Sequence, residues 1–242
     1  MGFKSFIVKP FANWVARDIE RWSKQAVQTQ QQIFETLISV GRRTAFGKDH
    51  GFEQIDSYEA FKERVPITDY EGLKPYIERI KKGEADILWK GSPLYFAKTS
   101  GTTSGVKYIP LTKDSLPNHF GSARNALFNY YARTGKGKWL DGHIIFLSGS
   151  PEMTDTNGIL TGRLSGIVNH QVPSWLRTNQ LPSYSTNCIE DWETKVERIV
   201  DETIDQDMRL ISGIPPWVQM YYERLLERSG KQYIKDLFPN FS

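Results

Sequence analysis

The residues best suited to chemistry lie in one short segment, Thr99-Ser100-Gly101-Thr102-Thr103-Ser104-Gly105-Val106-Lys107. Its two glycines let the backbone turn tightly, so that successive N–H groups can converge on an anion. Five hydroxyl side chains add donors that rotate to meet phosphate oxygens, and Lys107 supplies a compact positive charge. The segment predicts a phosphate-binding loop, whose ligand-binding residues would be Thr99, Ser100, Gly101, Thr102, Thr103, Ser104, Gly105 and Lys107.

The spacing of this loop excludes one common phosphate motif. A Walker A loop has four residues between its glycines and then Gly-Lys-Ser/Thr without a break, whereas three residues separate Gly101 from Gly105 here and Val106 precedes the lysine. A solvated Ser/Gly linker is the alternative interpretation. The flanking apolar runs, the lysine and the density of hydroxyls favour the phosphate loop.

Two parts of the chain with different hydrophobic patterns must position this loop. Up to about residue 90 the periodicity predicts helices. The first is long, covers residues 13–45 and is ended by Gly47. A second begins at a cap at Asp56, and a third has its cap signal at Thr68 and restarts at Pro75. We therefore predict an N-terminal helical segment over residues 1–90.

The later part of the chain alternates strands and helices. Apolar runs predict strands near residues 94–97, 108–109, 143–147 and 208–211. Helices are predicted from Thr112, from a cap at Asn187 with Glu190, and from Pro215 to Gly230, while residues 148–188 are expected to hold short hairpins. This alternation predicts an α/β portion over residues 91–242, with a mixed or parallel sheet flanked by helices.

Composition narrows the class of protein. The 242 residues carry 31 Lys and Arg against 28 Asp and Glu, and this net charge of +3 is too small to indicate a nucleic-acid partner. The single Cys188 fits a reducing compartment, and no apolar run reaches the 18 residues typical of a membrane span, so we expect a cytoplasmic protein without a membrane partner. The four histidines lack metal-ligand spacing, so no metal site is predicted from them.

Residues Phe96 to Pro110 resemble the ATP-phosphate motif of acyl-adenylate-forming enzymes. Further stretches make the chain similar to the GH3 auxin-responsive family of acyl-acid amido synthetases, in a bacterial-type form. These stretches are Thr44-Ala45-Phe46-Gly47-Lys48, Val65-Pro66, Tyr70 to Ile77 and Gly213-Ile214-Pro215-Pro216-Trp217.

The resemblance implies a fold, a reaction and roles for residues. The fold would be part of the N-terminal domain of an adenylate-forming enzyme, which activates a small carboxylic acid with ATP and Mg²⁺ and then joins it to an amino acid. Lys107 would be catalytic by neutralising the pyrophosphate that leaves, and Thr99 to Thr103 would hold the β- and γ-phosphates. Arg163 and Arg124 are candidates for the acid's carboxylate, although each also fits a solvated surface arginine.

The same resemblance places the Mg²⁺ ligand and a lid domain downstream of Ser242. We therefore expect the chain to be an N-terminal portion with little adenylation activity alone. Two other functions stay open at this point: another adenylate-forming ligase, of the acyl-CoA synthetase type, and a non-catalytic phosphate- or nucleotide-binding domain.

Overall fold

The computed structural model describes residues 2–99, 105–172 and 177–241. The chain divides into two compact units. We call the first the parallel-sheet unit, which comprises Met1–Asp18, Phe120–Glu152 and Ser165–Ser242. We call the second the hairpin unit, which comprises Ile19–His119 and Met153–Leu164.

Helices occupy the first part of the chain. Their bounds are α1 Phe3–Lys24, α2 Ala26–Gly41, α3 Ala45–Asp49, α4 Tyr58–Arg64 and α5 Tyr70–Lys81. Side-chain oxygens of Thr44, Ser57 and Asp69 accept a backbone N–H at the starts of α3, α4 and α5. Each such bond satisfies one of the donors that a helix start leaves without a partner.

Several predicted helix boundaries need correction. The helix predicted over residues 13–45 is two helices that break at Gln25, and the first begins at Phe3. The caps expected at Asp56 and Thr68 lie one residue later in each case. Pro75 does not restart a helix, because it lies inside α5.

Gly47 was predicted to end a helix, and that prediction is wrong. It lies buried inside α3, where its N–H donates to Thr44 Oγ1 at 3.0 Å. A Cβ at this position would stand 2.0 Å from the carbonyl oxygen of Gly41. The residue is therefore needed for a close backbone approach.

The hairpin unit contains a mixed sheet. Its strands are β1 Tyr95–Thr99, β2 Lys107–Leu111, β4 Thr154–Thr156 and β5 Ile159–Arg163, in the order β2-β1-β5-β4 among the described residues. β1 pairs antiparallel with β2 and parallel with β5, and β4 with β5 forms one of the short hairpins expected in residues 148–188. Ile77 and Ile80 of α5 pack with Phe96 and Ile159 in a buried cluster, so α5 covers one face of this sheet.

The parallel-sheet unit is built on β3 His143–Phe146, β6 Gln180–Leu181 and β7 Met208–Ser212. Both outer strands run parallel to the central β3. The remaining helices are α6 Leu116–Thr134, α7 Leu164–His170, α8 Tyr184–Asn187, α9 Trp192–Thr203, α10 Pro215–Ser229 and α11 Ile234–Leu237. The predicted helix from Pro215 to Gly230 is confirmed, whereas the cap expected at Asn187 is wrong, because Asp191 accepts from Thr194 N–H at the start of α9.

The predicted α/β class with a mixed sheet flanked by helices is confirmed. The hairpin unit crosses residue 90, since helices before this position and strands after it share one buried cluster. A division into domains at residue 90 stays a prediction. Within the described ranges, no helix has both the length and the apolar character that crossing a bilayer requires.

The close approach at Gly47 gives a stability prediction. Gly47→Ala should lower the free energy of unfolding by about 3 kcal/mol, because the new methyl collides with backbone that cannot swing away. Urea denaturation measures the change. Gly121→Ala in α6 is the matched control, since its Cβ would meet only Arg124 Nη2 at 3.9 Å; equal losses in both variants would contradict the prediction.

Candidate functional site

The predicted phosphate segment connects the two strands of a hairpin. The antiparallel register of β1 and β2 ends with the pair Thr99 and Lys107, so these two residues lie opposite each other where the segment leaves and re-enters the sheet. Gly105 has a φ of +76°, in the left-handed region that favours glycine. The predicted ligand residues Ser100, Gly101, Thr102, Thr103 and Ser104 lie outside the described residues.

Tyr70, the first residue of α5, holds the re-entering strand. Its hydroxyl oxygen accepts the backbone N–H of Tyr108 at 2.9 Å. β2 is the outermost strand of its sheet, so a backbone donor on its outer side would otherwise be left to solvent. The bond ties the start of a helix to the residue that follows Lys107.

Two lysine ammonium groups lie over tyrosine rings at this end of the hairpin. Lys107 Nζ is 5.5 Å from the ring centroid of Tyr70, and Lys81 Nζ is 4.6 Å from that of Tyr108. Lys81 also donates to Glu78 at 2.8 Å, and this hydrogen bond raises the pKa of Lys81. Cation–π contacts of this kind orient an ammonium group while leaving its outer side open to a ligand.

The two candidate arginines have different surroundings. Arg163 ends β5, and the parallel register pairs it with Lys98, the residue before Thr99. Neighbouring residues on paired strands project to the same face of a sheet, so two positive side chains lie side by side there. Arg124 belongs to the parallel-sheet unit, where its guanidinium lies 5.8 Å from the ring centroid of Phe11 and donates to Asn125 Oδ1.

The structure thus brings together four of the predicted site residues: Thr99, Gly105 and Lys107 in one hairpin, and Arg163 in the same sheet. It does not bring Arg124 into that sheet. Tyr70 and Lys81 were missed as site residues. Their contacts with Tyr108 join positions 38 and 27 apart in the sequence, and no periodic signal marks such a pair.

Across residues 2–99, 105–172 and 177–241, no three His, Cys, Asp or Glu side chains are grouped so as to hold a metal ion. His50 stacks on Phe46, and His170 Nε2 lies 2.8 Å from the carbonyl oxygen of Pro151.

Tyr70 makes two contacts that substitutions can separate: its hydroxyl bonds to the backbone of Tyr108, and its ring lies against the ammonium group of Lys107. Tyr70→Phe keeps the ring below Lys107 and removes the hydroxyl, so we expect a loss of about 1 kcal/mol of stability and little change in nucleotide affinity. Tyr70→Leu removes the ring as well and should weaken the ATP binding predicted for this segment about threefold. Urea denaturation and titration calorimetry measure the two quantities.

The corresponding control is Tyr76→Phe in the same helix, whose hydroxyl donates to Asp49. Equal ATP affinities for Tyr70→Phe and Tyr70→Leu would show that the ring has no part in positioning Lys107.

Taken together, the fold is of the α/β class, and its mixed sheet carries a glycine- and hydroxyl-rich segment that ends in a lysine. The sequence matches the GH3 family N-terminal domain over residues 15–170, and the chain belongs to this family.

Related proteins agree with this assignment. The chain is 26% identical to an indole-3-acetic acid-amido synthetase, GH3.15, of Arabidopsis thaliana, over 81% of this chain and 34% of the relative. It is 34% identical to a probable indole-3-acetic acid-amido synthetase, GH3.13, of Oryza sativa subsp. japonica, over 59% of this chain and 32% of the relative. The solved structure of GH3.15 acyl acid amido synthetase superposes with a TM-score of 0.68 at 20% identity, covering 90% of this chain and 41% of that one.

The chain thus spans about a third of the length of these curated relatives. The structural likeness, at 20% identity, concerns the fold.

Proposed function

We propose that this chain contributes the triphosphate-binding part of an ATP-dependent ligase that joins a small carboxylic acid to an amino acid. Membership of the GH3 family supports the class of reaction, and so do the relatives, which are named as amido synthetases. The observation that carries the proposal is the pairing of Thr99 with Lys107 at the end of the hairpin where the predicted phosphate segment joins the two strands. We propose a cytoplasmic location on the single cysteine of the chain.

The proposed reaction has two steps. A carboxylate oxygen of the acid attacks the α-phosphorus of ATP, and the bond to the β-phosphate oxygen breaks to release pyrophosphate. The amine of the amino acid then attacks the acyl carbon, AMP leaves, and the nitrogen loses a proton. The first step brings two anions together, so positive charge and N–H donors at the phosphates must offset their repulsion.

The hairpin has groups suited to that task. Lys107 is half-buried, and its ammonium is oriented over the ring of Tyr70, which favours a fixed position for the charge facing the leaving pyrophosphate. Thr99 adds a hydroxyl donor on the opposite strand, and Gly105 has a backbone that a phosphate can approach closely because it lacks a Cβ. Ser100 to Ser104 remain predicted partners of the β- and γ-phosphates.

Of the two arginines, Arg163 is the better candidate for the acid's carboxylate. It is exposed and neighbours Lys98 in the sheet, so the positive potential of two side chains is available to an anion. Arg124 already lies against Phe11 and Asn125, which gives it a local structural role. Mg²⁺ would supply further positive charge at the phosphates, and we assign no residue of this chain to it.

Lys107→Ala gives the direct test. Titration calorimetry with ATP should show at least a tenfold loss of affinity, because a charge-assisted contact to phosphate is worth about 1.5–3 kcal/mol. Lys113→Ala is the matched control, since Lys113 is an exposed lysine of the same unit beyond the hairpin. If ATP binds both variants and the original chain equally, Lys107 does not bind phosphate and the proposal is wrong.

The two other functions are separated by their products. Incubation of a ligase that contains this chain with ATP, Mg²⁺ and a carboxylic acid should give an amide when amino acids are supplied and no thioester with coenzyme A. A thioester would favour the acyl-CoA synthetase class. ATP binding that inorganic phosphate displaces completely at equal concentration would favour a non-catalytic phosphate-binding domain.

A further inference from the structure

The first helix exposes its large apolar side chains and buries its small ones. In the part of α1 that belongs to the parallel-sheet unit, the exposed fractions are 79% for Phe3, 68% for Phe6, 56% for Ile7 and 58% for Trp14. The buried side chains of the same part are Ser5, Ala12, Val15 and Ala16. A surface helix that is amphipathic only to pack on its own fold turns its large apolar residues inward. α1 has the opposite arrangement.

The exposed side chains of α1 form one continuous face. The spacings between its members are three, four and seven positions, which places them on one side of an α-helix, and the members are Phe3, Phe6, Ile7, Phe11 and Trp14. We call these five residues the apolar face. Phe11 and Trp14 stack with their ring centroids 5.7 Å apart. Single exposed apolar residues are ordinary on a protein surface, whereas a contiguous group marks a site of interaction.

Contacts on the inner side fix the rotation of α1. The buried Tyr131 donates its hydroxyl to the carbonyl oxygen of Ser5 at 2.7 Å. Asp141 Oδ1 accepts the backbone N–H groups of Lys4 and Ser5 at 3.1 and 3.3 Å, which anchors the first turn of the helix. The helix therefore cannot turn its apolar face inward without breaking these contacts.

The charges beside the apolar face are positive. Residues 3–17 contain no acidic side chain and three basic ones, which are Lys4, Lys9 and Arg17. Lys9 and Arg17 are exposed. Arg124 of α6, also exposed, adds a guanidinium group 5.8 Å from the ring centroid of Phe11. The face thus combines exposed aromatic rings with neighbouring cations.

This combination decides what kind of partner fits. The surface of an anionic bilayer offers acyl chains that take up apolar side chains, directly below a layer of negatively charged headgroups. Aromatic rings are enriched at that depth, and lysine and arginine side chains extend from it to the headgroups. A second copy of the chain would bring the same cations face to face across a two-fold axis, and like charges oppose such a contact.

We infer that the apolar face of α1 binds the surface of a bilayer that contains anionic phospholipids, with the helix in the plane of the interface. Its large side chains enter the acyl region, and Lys9, Arg17 and Arg124 meet the phosphate groups. The expectation of no membrane partner rests on the lack of an apolar run of spanning length, and a helix that lies in the interface needs no such run. This activity goes beyond the proposed function.

Sedimentation with vesicles tests the inference on the 242-residue chain. The chain should bind vesicles of phosphatidylcholine mixed with phosphatidylglycerol about tenfold more tightly than vesicles of phosphatidylcholine alone, and high salt should remove the difference. Phe6→Ser combined with Trp14→Ser should weaken binding to the mixed vesicles about tenfold, because two rings no longer enter the acyl region. Both side chains are exposed, so this variant keeps the fold.

Matched variants test the charges and the position of the site. Lys9→Gln combined with Arg17→Gln should weaken binding to the mixed vesicles about tenfold. Lys231→Gln combined with Arg198→Gln removes one exposed lysine and one exposed arginine elsewhere in the same unit, and should leave binding unchanged. Tyr233→Ser is the aromatic control, since Tyr233 is 52% exposed in that unit.

Equal affinity for both kinds of vesicle, or equal losses in the α1 variants and their controls, would overturn the inference. Sedimentation velocity without vesicles should show a monomer. A dimer that Phe6→Ser with Trp14→Ser dissociates would instead assign the apolar face to a second copy of the chain. ATP affinity should be the same in the α1 variants as in the original chain, so this inference can fail while the proposed function stands.

Discussion

The backbone of β2 imposes the constraint on which the hairpin of β1 and β2 depends. As the outermost strand of its sheet, β2 bonds to β1 on one side only, and the hydroxyl of Tyr70 takes the N–H of Tyr108. The ladder with β1 fixes Thr99 opposite Lys107, and the tyrosine fixes how α5 meets that pair. α5 is in turn held by Ile77 and Ile80 against the buried face of β1, so the position of one lysine rests on the packing of the whole unit.

Much of this arrangement was predictable because its signals are local. Glycines, hydroxyls and a lysine between two apolar runs indicate a loop between strands, and polar residues before the helices indicate caps. These features depend on a few neighbouring residues and on the periodicity of a strand or helix. Hence the two strands on either side of the loop, α4, α10 and the mixed α/β class were all predicted from sequence, and the cap errors at Asp56 and Thr68 amount to one residue.

The pairings that build the site could not be predicted in this way. Periodicity identifies a strand but not its partner, so nothing in the sequence announced that Arg163 neighbours Lys98 or that Tyr70 meets Tyr108. Two local rules also failed for one reason. Gly47 looked like a helix stop and Asn187 like a cap, yet the tertiary structure uses the missing Cβ of the first and the backbone carbonyl of the second.

The buried Lys195 joins two segments of the parallel-sheet unit that are distant in the sequence. Burying an ammonium group is costly unless its donors are satisfied, and the carbonyls of Ser148 and Asn187 satisfy two of them. Lys195 therefore ties Ser148, just after β3, to Asn187 at the end of α8. The net charge of +3 reveals none of this, since it does not say where a cation is fixed or how dry its surroundings are. Lys107 is oriented by the ring of Tyr70 and Lys195 by two carbonyl oxygens, so the position of each ammonium group depends on tertiary contacts that no local pattern of residues announces.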